Sequence, residues 1–149
     1  MRAPFQILAI PYRYENGTPQ YCILHRSDCD LWQFIAGGGE DAETPQEAAK
    51  REIWEEGGIK TTGLLPLKSM CYIPVEVFPK RSLWGWADDM YVIPEYAFGF
   101  ACDNDIILSH EHTELLWLGY DEAIKKLLWD SNKTALYELN RILLNQQNQ

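Results

Sequence analysis

Apolar, β-branched and aromatic runs recur along the chain between turn signals. They predict strands over residues 5–14 (FQILAIPYRY), 21–26 (YCILHR), 64–75 (LLPLKSMCYIPV), 90–102 (MYVIPEYAFGFAC) and 115–120 (LLWLGY). The segment ENGTP supplies a turn between the first two. A helical period takes over at residues 45–57, 122–129 and about 133–145; in the last, Leu136, Leu139, Ile142 and Leu143 form one apolar stripe. Thr44, Asp121 and Ser131 stand where N-caps are needed. Strands, a helix, more strands and two closing helices make an α/β fold, a mixed sheet covered by helices. No repeat or linker interrupts the pattern, so a single domain over residues 1–149 is expected, with the polar end NQQNQ (145–149) as a frayed tail.

Composition narrows the classes. The chain has 149 residues, 46% of them hydrophobic, enough for a core of its own and too apolar for disorder. No apolar run reaches the roughly 20 residues that span a bilayer. The opening MRAPFQILAIPYRY, interrupted by Pro11, reads as a strand rather than a signal peptide. Cys22, Cys29, Cys71 and Cys102 lack CxxC or zinc-type spacing, which predicts buried, reduced thiols and a cytoplasmic protein with no membrane partner. With 22 acids against 13 bases and net charge −9, the chain is not built to wrap nucleic acid. A small phosphorylated substrate stays open if a cation bridges it to an acidic site.

The segment GGGEDAETPQEAAKREIWEEGGI (37–59) concentrates that acidity. Thr44 caps the helix, Pro45 suits its first position, Glu47 completes a capping box, and Gly57 and Gly58 end it. At about 100° per residue, Glu52, Glu55 and Glu56 converge on one face. Like charges at this spacing cost a few tenths of a kcal/mol per pair, and here they also oppose the helix dipole. A solvated acidic face is the ordinary outcome of such a run. Ala48 and Ala49 one turn back would leave room on this face, Ile53 and Trp54 would pack on the other, and a glycine turn at 37–39 would feed the helix. Hard carboxylate oxygens on a rigid element suit Mg²⁺ or Mn²⁺.

Gly37, Glu43 and REIWEEGGI (51–59) fit G-x5-E-x7-R-E-U-x-E-E-x-G-U, where U is apolar, at all nine constrained positions. The stretch thereby resembles the Nudix box. The resemblance implies an α/β/α sandwich with a mixed sheet and a loop–helix–loop diphosphate site. It also implies hydrolysis of a nucleoside diphosphate linked to a further group, with divalent cations assisting. Glu52, Glu55 and Glu56 would be metal ligands, with Glu55 and Glu56 also counted as catalytic. Glu43 and Arg51 would orient loop and helix, between Gly37 and Gly58. The family also uses a backbone carbonyl just before the box, here that of Ala36 after Ile35, where many members have Gly after Pro.

Outside the box, LHRSDCDLWQ, SHEHTELLWL and WDSNKTAL resemble segments of dihydroneopterin triphosphate pyrophosphatases and their dATP-cleaving relatives; residues 74–89 match nothing there. By that resemblance Glu111 would be a further metal ligand or the general base, against a solvated loop glutamate. His112 is either a structural histidine or a substrate contact. Arg26 is either a phosphate ligand or a surface residue. Trp32 or Phe34 would stack on a pterin or purine, or pack in the core. Trp84 and Trp86, beside Lys80 and Arg81, fit a base-reading lid or a dimer contact equally. Asn132 is read as beginning the last helix, and Glu40 and Asp41 as solvated. No histidine pairs with a Cys or Ser nucleophile. The expected activity is Mg²⁺-dependent cleavage of a pterin or (d)NTP-like triphosphate to monophosphate and pyrophosphate, by a monomer or homodimer. The alternatives are ADP-ribose, dinucleoside polyphosphates or a damaged nucleotide as substrate, or nucleotide sensing without turnover.

Overall fold

Alternation along β1 (Arg2–Glu15) sets the layers: Ile7 and Ala9 face one side, Leu8 and Ile10 the other, and all four are buried. In the computed structural model, which describes residues 1–148, β1 lies inside one mixed sheet. It pairs antiparallel with β2 (Thr18–Arg26) and β4 (Ile35–Glu40), and parallel with β6 (Val92–Ala101). β5 (Leu65–Pro74) extends the sheet beyond β6, while β3 (Trp32–Gln33) and β7 (His112–Leu118) both pair with β2.

Helix α1 (Pro45–Gly57) covers the Ile7 face with Ala48, Ala49 and Ile53. The Leu8 face is covered by α2 (Tyr120–Lys126), through Ala123, and by α3 (Asp130–Gln147), through Leu136, Leu139 and Leu143. Each fully buried Leu or Ile contributes about 1.5–3 kcal/mol, so the two stripes hold helices and sheet together. The expected α/β/α sandwich is what forms. Among the described residues no helix is long and apolar enough to cross a membrane.

Several local expectations fail, each for a physical reason. Residues 37–39 do not turn: Gly37 pairs with Ile7 and Gly38 with Gln6, inside β4. The reversal comes later, at Asp41, whose φ is 50°. Ala48 and Ala49 leave no room for a ligand because the core fills it, and Trp54 is exposed rather than packed. Gly119 and Trp129 take the N-cap positions of α2 and α3 without a side-chain cap, leaving Asp121 and Ser131 inside the first turns. α2 ends early because Leu127 leaves the helix to bury itself and bridge to Trp32. α3 extends over residues 145–147, where a frayed tail was expected, and Gln147 Nε2 donates to Gly17 O at 2.6 Å. Residue 149 of that tail lies outside the described residues.

Between β5 and β6, Phe78, Trp84 and Trp86 cluster around Arg2, whose guanidinium lies 4.6 Å from the Phe78 ring centroid. Trp86 Nε1 donates to Arg2 O at 3.0 Å. These aromatics therefore clasp the start of β1. A hollow of about 590 Å³ lies under this segment and is lined by none of the α1 acids. All four cysteines are free. Cys22 and Cys102 are buried and Cys71 half-buried, but Cys29 is exposed on the β2–β3 loop, against the expectation of buried thiols.

Candidate active site

The ends of α1 are closed as its sequence requires. Thr44 Oγ1 accepts from Glu47 N at 3.2 Å, and Glu47 Oε1 accepts from Thr44 N at 2.9 Å. At the other end Gly58, with φ of 68°, donates to Trp54 O at 2.9 Å. With Ala48, Ala49 and Ile53 anchored in the core, Glu52 and Glu56 are turned toward β4. A Cβ at position 37 would overlap the Glu52 carboxyl, so Glu52 can lie here only because Gly37 has no side chain.

Arg51 is the cation hydrogen-bonded into this acidic ring, and the charge of Arg2 also lies near Glu52. Arg51 Nε and Nη2 donate to the two Glu43 oxygens at 2.8 and 3.0 Å, and Nη2 also donates to Gly38 O at 2.8 Å. Nη1 is shared by Glu52 Oε1 at 2.9 Å and Glu55 Oε2 at 3.1 Å. Glu43 Oε1 in turn accepts from Glu40 N at 2.7 Å, tying the loop to the helix. The Arg51 bonds hold the Glu43 carboxyl below the usual carboxylate range. Replacing Arg51 by Ala should therefore destabilise the metal-free protein by about 2–3 kcal/mol, since it strips the hydrogen-bonded counter-charge from two partly buried carboxylates, Glu43 and Glu52, and from the exposed Glu55. Urea unfolding checks this, and a loss below about 0.5 kcal/mol would remove the scaffolding role.

Glu56 is the buried member, 2% exposed. Its Oε2 accepts from Ala36 N at 3.2 Å, while Oε1 has no hydrogen-bond partner. Opposite Oε1, at 3.9 Å, is Nδ1 of His112, also unpartnered. Gln33 Nε2 donates to His112 Nε2 at 3.2 Å, which leaves the ring proton on Nδ1, facing Glu56. Burial, then the neighbouring Glu111 and Glu52, push the Glu56 carboxyl up to about 10. A proton on Glu56 lets the Glu111 carboxylate accept a hydrogen bond from it. Burial also raises Glu52 to about 6, against the opposing pull of Arg51. His112 is lowered by burial and stays neutral.

The donor set suits a divalent cation: hard carboxylate oxygens from Glu52, Glu55, Glu56 and Glu111, with an orphaned oxygen on Glu56. Among the described residues, no three Asp, Glu, His or Cys side chains stand ready to hold an ion as placed. Arg51 grips Glu52 and Glu55, which would have to rotate away from it to reach one. Ala36, whose carbonyl was expected among the ligands, lies beside Glu56 on β4.

The other candidate residues divide between core and surface. Phe34, between β3 and β4, is fully buried on the Leu8 face and presents no ring for stacking, as core packing required. His112 is sealed behind Glu56 and Gln33 rather than open to a substrate. Arg26 forms a forked pair with Asp28 at 2.8 and 2.6 Å, which occupies the fork a phosphate would take. Trp32 is half-buried, edge-on to His25 at 4.9 Å, with the Lys126 ammonium 5.7 Å from its ring centroid. Asn132 is buried in the first turn of α3. Sequence reasoning passed over Gln33, although it stands inside the quoted LHRSDCDLWQ. It also passed over Glu95, a lone acid within the apolar VIPEYAFGF.

The NUDIX domain family profile matches residues 8–139. A crystal structure of a Listeria monocytogenes protein assigned as a NUDIX hydrolase is 44% identical, with TM-score 0.85 and 97% of each chain covered. The dihydroneopterin triphosphate diphosphatase of Haemophilus influenzae is 27% identical over 83% of this chain and 80% of its own length. The asymmetrical bis(5'-nucleosyl)-tetraphosphatase of Rattus norvegicus is 29% identical over 88% and 85%.

Proposed function

This chain belongs to the Nudix family and to its pyrophosphohydrolase enzymes, and from that premise we propose that it cleaves a pterin or (d)NTP-like triphosphate to a monophosphate and pyrophosphate. Nudix hydrolases use divalent metals, and Mg²⁺ is the ion proposed here, with Mn²⁺ as its substitute. Glu52, Glu55, Glu56 and Glu111, with the Ala36 carbonyl, would hold it. When bound, the ion would neutralise phosphate charge and lower the pKa of the attacking water.

The remaining roles fall to the chain. Arg51 and Glu43 fix the loop against the helix, so that the carboxylates keep their spacing. Ala36 N donates to Glu56, and the neutral His112 ring lies 3.9 Å from its other oxygen. Glu111, exposed beside Glu56, would take the proton of water as it attacks phosphorus where it does not serve as a metal ligand. The bond that breaks joins the first phosphate to the second, so water supplies the new oxygen and pyrophosphate leaves.

The observation that carries this reading is the buried Glu56 carboxyl with its unpartnered oxygen, at the centre of an intact glutamate set. A pure sensor would need no such set. The substrate class draws its support from the Haemophilus relative and the three resembling segments. The rat relative keeps a dinucleoside tetraphosphate as the second reading.

A panel with Mg²⁺ should contain dihydroneopterin triphosphate, the four dNTPs, ADP-ribose and a dinucleoside tetraphosphate. Pyrophosphate from a triphosphate is the expected product. Orthophosphate alone, or turnover confined to the last two compounds, would overturn the proposed substrate.

A further inference from the structure

Three cross-strand pairs at the outer end of the sheet, Met70 with Tyr96, Tyr72 with Pro94 and Pro74 with Val92, put six apolar residues on one face of β5 and β6. Tyr96 pairs with Ile7, so this is the face that α1 covers further in. Phe98 and Phe100 continue the row along β6 and are buried with Ala48, Ala49 and Ile53 of α1. Beyond them the cover stops. Tyr72 is 62% exposed, Met70 and Val92 are 48% exposed, and Pro74 is exposed as well. Tyr96 is half-buried, with the Phe5 ring edge-on at 6.1 Å. The opposite face of β5 does have its layer, where Ser69 Oγ donates to Glu138 of α3 at 2.6 Å.

On the order of 500 Å² of apolar surface is thus left bare, near the upper end of what a monomer shows in one patch. A standard interface takes about 800 Å² from each partner, and in homodimers about two-thirds of that is apolar. The patch therefore matches the apolar part of one homodimer contact.

Charge narrows the occupant. β5 and β6 carry two charged residues: Glu95, buried on the other face with Cys71, and Lys68, in the irregular stretch between Pro66 and Met70. At net charge −9 two copies repel each other, and they do so least across a face without acids. An anionic bilayer meets the same repulsion, with Lys68 alone on these strands to offset it. Edge-to-edge addition is blocked. β5 ends the sheet, but Pro66 and Pro74 have no N–H, and Lys68 N and Ser69 N donate to Glu138 at 2.7 and 2.8 Å.

We propose that this face is the contact of a homodimer, in which two copies related by a twofold axis stack their sheets about 10 Å apart. The contact needs no substrate, so it stands or falls apart from the hydrolase reading.

Sedimentation velocity tests it. Between about 1 and 200 μM the parent should pass from one chain mass to two. Raising salt from about 0.05 to 0.5 M should tighten the dimer about tenfold, because screening removes the repulsion. Tyr72→Glu and Met70→Glu should each raise the dimer Kd by about 100-fold or more, since they set like charges against each other across the axis. Tyr137→Glu adds the same charge to the exposed side of α3 and should leave the Kd within about twofold of the parent's.

A parent still monomeric at the highest concentration overturns the proposal. Flotation with phosphatidylserine vesicles then shows whether a lipid surface takes the face instead: the parent would float and Tyr72→Glu would not. A dimer that Tyr72→Glu retains, or that salt disperses, is built on another surface and overturns the proposal too. Melting monitors the fold of each variant, and Met70→Glu decides if Tyr72→Glu does not fold.

Discussion

Glu56→Gln should lower kcat by about three orders of magnitude, equivalent to about 4 kcal/mol of transition-state stabilisation, while leaving the metal-free protein as stable as the parent or more so. The two halves of this expectation share one cause. The Glu56 carboxyl is 2% exposed, has an unpartnered oxygen and is raised to about 10, so the metal-free fold holds it neutral. Glutamine reproduces that neutral form: its carbonyl accepts from Ala36 N and its amide can donate to Glu111. What it cannot do is become a carboxylate when a cation and phosphates arrive. Melting temperature, its shift with Mg²⁺, and kcat should be measured on one preparation. A variant with near-parental kcat would remove Glu56 from the chemistry. One that melts several degrees lower without metal would show that the ionised form is already accommodated.

The acidic helix was legible because its determinants are local. Thr44, Pro45, Glu47 and Gly58 lie within hydrogen-bonding range along the chain, and the spacing of Glu52, Glu55 and Glu56 follows from the helix period alone. The sandwich was legible too, since strand-like apolar runs and helical periods follow one another along the chain in the order that a helix-covered mixed sheet needs.

What escaped depends on pairing across the sheet. Nothing within residues 37–39 says that they lie beside Ile7 and Gln6, so three glycines read as a turn. Sequence order near the site leaves Phe34 open between stacking and core packing, and only the placement of the β3–β4 junction against the Leu8 face decides for the core. His112 and Gln33 meet only when β7 and β3 flank β2, 79 residues apart in sequence. Glu95 was visible only as a misfit within its strand. Its partners come from β1 and β5, which no pattern in β6 could name.

Cation binding should weaken steeply as pH falls, about tenfold per unit between pH 9 and 7 and more steeply once pH drops below 6. Glu56, up to about 10 without metal, holds its proton across this range, so each binding event at Glu56 must release one proton. Near and below 6 the Glu52 carboxyl is also protonated in the metal-free state and adds a second release. From pH 8 to pH 6 the apparent Kd for Mg²⁺ should therefore rise about 100-fold.

The same shifts fix the opposite trend for metal-free stability. Both folded-state values lie above the carboxylate's unfolded value, so the native state binds more protons than the unfolded one. The contribution is full below about 4.5 and is lost as pH rises through about 6 for Glu52 and about 10 for Glu56. These two groups thus make the metal-free fold firmer in mild acid while cation binding there is weakest. Glu56→Gln should flatten both trends over pH 7–9. Calorimetric titration of Mg²⁺ in buffers of different ionisation enthalpy counts the protons directly. Release close to zero at pH 8 would mean that Glu56 is already ionised in the metal-free protein, and the burial argument for its neutral state would fall.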